Sequence, residues 1–129
     1  MIEANISLID SYEGVNFIEL SNALQKFYML SLNTHENVKI NQQVVLSFKS
    51  NDCFISKEKL KNSFINELHA KIIEIFEGKI ITILRMQNNF CTFEAQINTK
   101  AFTDMNLQIN DFIYTYINPN ALFIKKFIC

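Results

Sequence analysis

Glycine and proline are nearly absent from this chain of 129 residues, which holds two glycines, one proline and no tryptophan. Soluble proteins average about 7% glycine and about 5% proline, so both are far below the usual level. A Rossmann fingerprint, a P-loop or a kinase-type glycine loop each needs glycines close together. Gly14 and Gly78 lie 64 residues apart, which excludes all three. Basic excess is missing too: Arg85 is the single arginine, the net charge is −1 and the pI is about 6.1. Nucleic-acid binders usually carry a basic face. The one local run, Lys57, Lys59 and Lys61, reads as a solvated segment. Cys53, Cys91 and Cys129 are odd in number, widely spaced and form no CxxC pair, as expected of reduced thiols. No apolar run approaches the ~18 residues needed to span a bilayer. The stretch Met1–Asn5 lacks the basic and apolar regions of a signal peptide. A cytoplasmic protein with no membrane partner is the expectation.

What is present is short, apolar and alternating. Hydrophobic residues make up 49% and charged residues 19%, the balance of a globular chain. The length suits one ordinary domain or two small ones. Candidate strands are Ile6–Ile9, Val15–Leu20, Phe27–Leu32, Val44–Phe48 and Cys53–Ile55, then Lys71–Ile75, Ile80–Leu84, Phe90–Ile97, Phe112–Ile117 and Leu122–Ile124. All are rich in β-branched and aromatic residues and are separated by polar ones. The rhythm is an internal repeat. Residues 38–56 align with 107–125 without a gap: Ile40 with Ile109, Asn41 with Asn110, Asn51 with Asn120, Phe54 with Phe123 and Ile55 with Ile124. Upstream, Glu13-Gly14 matches Glu77-Gly78, and each glycine is expected to supply the positive φ of a hairpin turn.

One short helix is expected over 98–105, capped by Asn98 or Thr99, with Phe102 and Met105 on one face. The first copy has only Asn33-Thr34-His35-Glu36-Asn37 at that place, so its helix should be a turn or absent. Residues 57–66 lack strand alternation and read as a short helix or an extended linker. Five short strands per copy, with a helix after the third, predict an all-β chain with short helices. It forms two tandem OB-like five-stranded barrels, because closure removes exposed strand edges. The boundaries are 1–58, a linker at 59–66, and 67–129.

Catalytic constellations are scarce. His35 and His69 have no nucleophile or carboxylate in a recognisable motif and no metal-ligand spacing. Cys91 lies in an apolar strand and reads as a small buried hydrophobe. No carboxylate pair stands out as acid and base. The chain reads as non-enzymatic, without a cofactor or a directly bound metal. An oxyanion site would need backbone N–H groups, hydroxyls and a fixed cation. Lys49-Ser50 at a strand end, Asn33-Thr34 before the helix position, and Ser63 with Asn66 in the linker offer these groups. Each also has a plainer role, as a solvated lysine, a cap or a linker residue. Tyr114 and Tyr116 share one strand face, but only Lys125 and Lys126 follow nearby, too little for an OB-type nucleic-acid groove.

The second copy resembles the Mop, or molybdate-binding, branch of the transport-associated OB (TOBE) domains. The resemblance runs through Asn66–Ile75, Glu77-Gly78, Ile97-Asn98-Thr99, Leu107–Asn110 and Tyr116–Ile124. The tandem is similar to the di-Mop C-terminal half of molybdate-responsive transcriptional regulators, without their helix-turn-helix domain. This implies binding of molybdate or tungstate, with molybdenum held only as the oxyanion, by a cytoplasmic homodimer or higher homo-oligomer serving molybdenum homeostasis. It implies no direct nucleic-acid contact. Family ligands come from a Ser-Ala-Arg-Asn segment before the first strand, from the region of the short helix, and from a Lys-Ala/Ser turn. Here Ser63-Phe64-Ile65-Asn66 stands for the first in copy two, keeping Ser and Asn and losing Arg. Lys49-Ser50 stands for the turn in copy one, and Asn118-Pro119 replaces it in copy two. Asn33 and Asn98 stand where the family tends to place a hydroxyl, and Asn41 and Asn110 where it has glycine. The first copy's own Ser-Ala-Arg-Asn segment would lie before Met1. The alternative expectation is a degenerate di-Mop interaction module that binds a transporter or regulator.

Overall fold

The computed structural model describes residues 2–32 and 38–128. Ten strands and one helix fill them: β1 (Ile2–Tyr12), β2 (Val15–Ser21), β3 (Lys26–Ser31), β4 (Gln43–Ser47), β5 (Cys53–Ser56), β6 (Asn66–Glu77), β7 (Ile81–Gln87), β8 (Thr92–Asn98), α1 (Thr99–Asp104), β9 (Phe112–Ile117) and β10 (Phe123–Phe127). Period-two burial explains them. In β7, Thr82, Leu84 and Met86 point inward and are fully buried, while Arg85 and Gln87 face water. Asn98 caps α1, its side-chain oxygen accepting the Ala101 N–H at 2.7 Å.

The strands form two antiparallel five-stranded sheets, ordered β10-β4-β1-β2-β3 and β5-β9-β6-β7-β8. Each sheet therefore takes one edge strand from the other copy. β5 pairs with β9, Phe54 opposite Tyr116, and β10 pairs with β4, Phe123 opposite Ser47. The sequence boundaries 1–58 and 67–129 mark the repeat, whereas the hydrogen-bonded sheets are built across it. One apolar cluster joins the two halves, with Ile2, Ile6, Ile18, Leu20 and Phe27 from the first and Leu68, Ile72, Leu84, Met86 and Ile113 from the second.

The two copies correspond in strand register. β1–β3 corresponds to β6–β8 at an offset of 66: Ile18 faces Ile9 as Leu84 faces Ile75, and a bulge interrupts the pairing after Ile6 and after Ile72. From residue 38 the offset is 69, so the second copy carries three extra residues around α1. The expected turn at 33–37 lies outside the described residues.

This register corrects the expected role of the glycines. Tyr12 pairs with Val15, leaving Glu13 (φ 49°) and Gly14 (φ 79°) as a two-residue turn with both central residues left-handed. Gly78 occupies the position of Tyr12, not of Gly14, and its φ is not positive. It is glycine for space: a Cβ there would collide with the Ile81 carbonyl oxygen, which accepts the Gly78 N–H at 3.0 Å. Asn41 (φ 68°) and Asn110 (φ 75°) are both left-handed, and asparagine tolerates that region better than other L-residues. They hold the left-handed conformation that glycine most readily adopts.

Cys91 also needs correcting. It lies before β8, in a turn where the Asn88 side-chain oxygen accepts the N–H groups of Phe90 and Cys91 at 3.0 and 2.9 Å. Asn22 holds Leu24 and Gln25 in the same way in the first copy. Residues 57–65 hold no helix and form the extended linker.

Candidate functional site

Lys49-Ser50 opens a tight turn between β4 and β5, closed by the Asp52 N–H donating to the Lys49 carbonyl at 2.9 Å. Asn118-Pro119 opens the matching turn between β9 and β10, closed by Ala121 N–H to Asn118 C=O at 2.9 Å. Each turn lies across the other half's third strand. The Gln96 N–H donates to the Ser50 carbonyl at 2.8 Å, and the Leu30 N–H donates to the Pro119 carbonyl at 3.0 Å. The turns also meet, through the Asn118 N–H and the Asp52 carbonyl at 3.5 Å. Lys49 is exposed and forms no ion pair with a described carboxylate. Ser50 is half-buried and lines a cleft of about 320 Å³ with Ile2, Phe48, Phe93 and Glu94.

Asn66, at the end of the linker that carries Ser63, bonds to the residue before Asn118. Ser63 is exposed, whereas Asn66 is fully buried. The Asn66 side-chain oxygen accepts the Tyr28 N–H at 2.7 Å, and its amide donates to the carbonyls of Tyr28 (2.8 Å) and Ile117 (3.2 Å). Both donor hydrogens are thus spent inside the fold, and the side chain fastens β3 of one sheet to β9 of the other. Ile65, just before it, is a β-branched residue at φ 54°, a strained conformation that turns the chain so Asn66 N–H donates to Phe64 C=O at 2.6 Å. Asn66 bonds Ile117, and Asn118 bonds Asp52 of the lysine turn. The structure therefore brings the linker and Lys49-Ser50 to two sides of one junction. Asn33 and Thr34 lie outside the described residues.

The linker is held by a network that the sequence did not reveal. The Leu60 N–H donates to the Tyr116 hydroxyl at 2.7 Å, the hydroxyl donates to Glu67 Oε2 at 3.0 Å, and Lys59 sits 3.5 Å from Glu67 Oε1. Burial of Tyr116, opposed by the Leu60 bond and reinforced by Glu67, raises its pKa. Phe54 stacks on its ring at 5.1 Å. Tyr116 is therefore shut in, and Tyr114 is stacked on His69 at 4.2 Å, so the two tyrosines form no open stacking face. Burial, with the Asp52 charge adding, pushes the Cys53 thiol up to about 12, and burial pushes Cys91 up to about 11. Neither is poised as a nucleophile. Among the described residues no three His, Cys, Asp or Glu side chains are grouped to hold a metal ion, and no helix is long and apolar enough to cross a membrane.

Two interlocked five-stranded sheets, joined through reciprocal β4–β5-type turns, define the tandem Mop fold. Its full length is shared with the cytoplasmic molybdate-binding protein ModG in a crystal form with molybdate bound, at a TM-score of 0.87 and 11% identity, covering 95% of this chain and 92% of that one. A molybdate-binding protein from Sporomusa ovata matches at a TM-score of 0.44 and 24% identity over 46% of this chain and 88% of that one. No family model matches the sequence, and no curated protein does either.

Proposed function

We propose that this chain binds a tetrahedral oxyanion, molybdate or tungstate, in the cytoplasm as part of molybdenum homeostasis, and that it acts as a homo-oligomer. The observation that carries the reading is the end-to-end likeness to ModG, a protein described as cytoplasmic and molybdate-binding. One part of the structure is consistent with it. Lys49, which pairs with no described carboxylate, adjoins Ser50 in the β4–β5 turn, and Ser63 of the linker is the further hydroxyl proposed for the site. Charge-assisted donors of this kind suit an oxyanion. Asn66 serves by holding the linker in place. Asn33 and Thr34 remain candidates for a further hydroxyl or amide donor.

Calorimetric titration with molybdate, tungstate and sulfate tests this. Micromolar binding of the first two is expected, with sulfate weaker. Absence of binding by all three would remove the ligand. Lys49→Ala is expected to weaken affinity roughly tenfold or more, the loss of one charge-assisted contact of about 1.5–3 kcal/mol. Unchanged affinity would take Lys49 out of the site.

A further inference from the structure

The two turns that meet at the junction are equivalent in backbone and opposite in chemistry. At the offset of 69, Lys49, Ser50 and Asn51 correspond to Asn118, Pro119 and Asn120. Both turns close alike, Asp52 N–H to Lys49 C=O and Ala121 N–H to Asn118 C=O, each at 2.9 Å. Both lay the carbonyl of their second residue on the other half's third strand, Ser50 against Gln96 and Pro119 against Leu30. Their donors differ. In the second turn the Asn120 N–H donates to the Asn118 side-chain oxygen at 3.0 Å, and the Asn118 N–H donates to the Asp52 carbonyl. Pro119 is buried and has neither an N–H nor a hydroxyl. In the first turn the N–H groups of Ser50 and Asn51 meet no acceptor among the described residues. Lys49 has no side-chain acceptor with which to take the Asn51 N–H, and it pairs with no described carboxylate.

We propose that the chain takes its oxyanion at the Lys49-Ser50 turn and not at the twin turn, where the Asn118 carboxamide already does the work of an anion. The proposal rests on the oxyanion reading above and deepens it by assigning the ion to one half of the duplicated body. Adjacent turn N–H groups, a hydroxyl and an ammonium group are the donors an oxyanion needs. An amide oxygen is the neutral counterpart of one oxyanion oxygen. That of Asn118 accepts the N–H such an ion would use, and proline deletes the neighbouring donor. The second turn thus keeps its shape and its bond to β3 without any ion, and it carries no cation to offset the cost of desolvating a dianion.

Molybdate is the probe, followed by calorimetry and by the amide resonances of the full chain. In the parent, the amides of Ser50 and Asn51 are expected to shift on titration and those of Asn120 and Ala121 to stay in place. Asn118→Lys combined with Pro119→Ser releases the Asn120 N–H and supplies a cation, a hydroxyl and the missing N–H. It should bring one further ion per chain and make the Asn120 amide respond. The reverse exchange, Lys49→Asn with Ser50→Pro, builds a turn that the chain already holds in its other half. It should melt within about 3 °C of the parent and weaken binding at the first turn by roughly a hundredfold. Equal shifts at both turns of the parent, or ions bound with neither turn responding, would overturn this proposal alone. So would a folded Asn118→Lys, Pro119→Ser chain that takes no further ion, or a folded reverse exchange that binds as the parent does. Silence of both turns with no heat of binding would overturn the oxyanion reading, and this proposal with it.

Discussion

Single residues decide where this fold is fragile, and Asn66 is the clearest case. Three backbone groups from two sheets depend on one buried carboxamide. Leaving a buried group unpaired costs about 1–3 kcal/mol. Asn66→Leu, which keeps the branched shape but not the polar atoms, is expected to lower stability by about 3 kcal/mol in urea denaturation. A loss under about 1 kcal/mol would mean that the bonds are replaceable. Tyr116 gives a pH signature. Its pKa is raised by burial, so the fold favours the neutral phenol. The stabilisation this gives is complete below about pH 10, the ordinary tyrosine value, and is lost as pH rises through the higher folded value. Tyr116→Phe should therefore be less stable than the parent at pH 8, by about 1 kcal/mol for the orphaned Leu60 N–H. The gap should narrow above pH 10. A gap that stays constant from pH 8 to 10.5 would show that the phenol does not report on folding. Sequence reading singled out Asn66 without its packing role. An asparagine among apolar neighbours shows a polar group at an inward register, but its backbone partner lies on a strand 38 residues away. Gly78 misled in the same way: it repeats Gly14 by letter, yet it answers a close contact and not a left-handed turn.

At the level of elements, all ten strands and the single helix were legible from alternation and capping, because those signals are local. Strand partners were not. β5 and β10 are alike in pattern, each carrying Phe-Ile, so nothing in the sequence says which β4 or β9 either will join. The exchange makes each half incomplete alone. Residues 1–58 keep β5 but lack β10, the edge of their own sheet. That piece alone is expected to show poorly dispersed amide resonances, and mixing it with residues 59–129 should restore the dispersion of the whole chain. A well-dispersed, monomeric 1–58 would show that the exchange is dispensable. The same interlock explains the candidate site. The turn bearing Lys49 sits on the second half's β8, so its place relative to Ser63 depends on both copies being present.

The whole molecule is a duplicated body whose copies have diverged unequally. One half follows the linker with Ser63 and carries Asn118-Pro119 in its turn; the other carries Lys49-Ser50 at the matching place. The strand exchange also sets an order of events during synthesis. The first sheet needs Phe123–Phe127 beside β4, and those residues leave the ribosome long after β4 itself. Until then β4 presents a bare edge of apolar strand, the kind of surface on which nascent chains stick to one another. Pairings this distant in sequence form slowly. The interlock that unites the finished protein is thus a hazard to the growing one, and a chaperone that covers strand edges would find its work at the first copy and not the second.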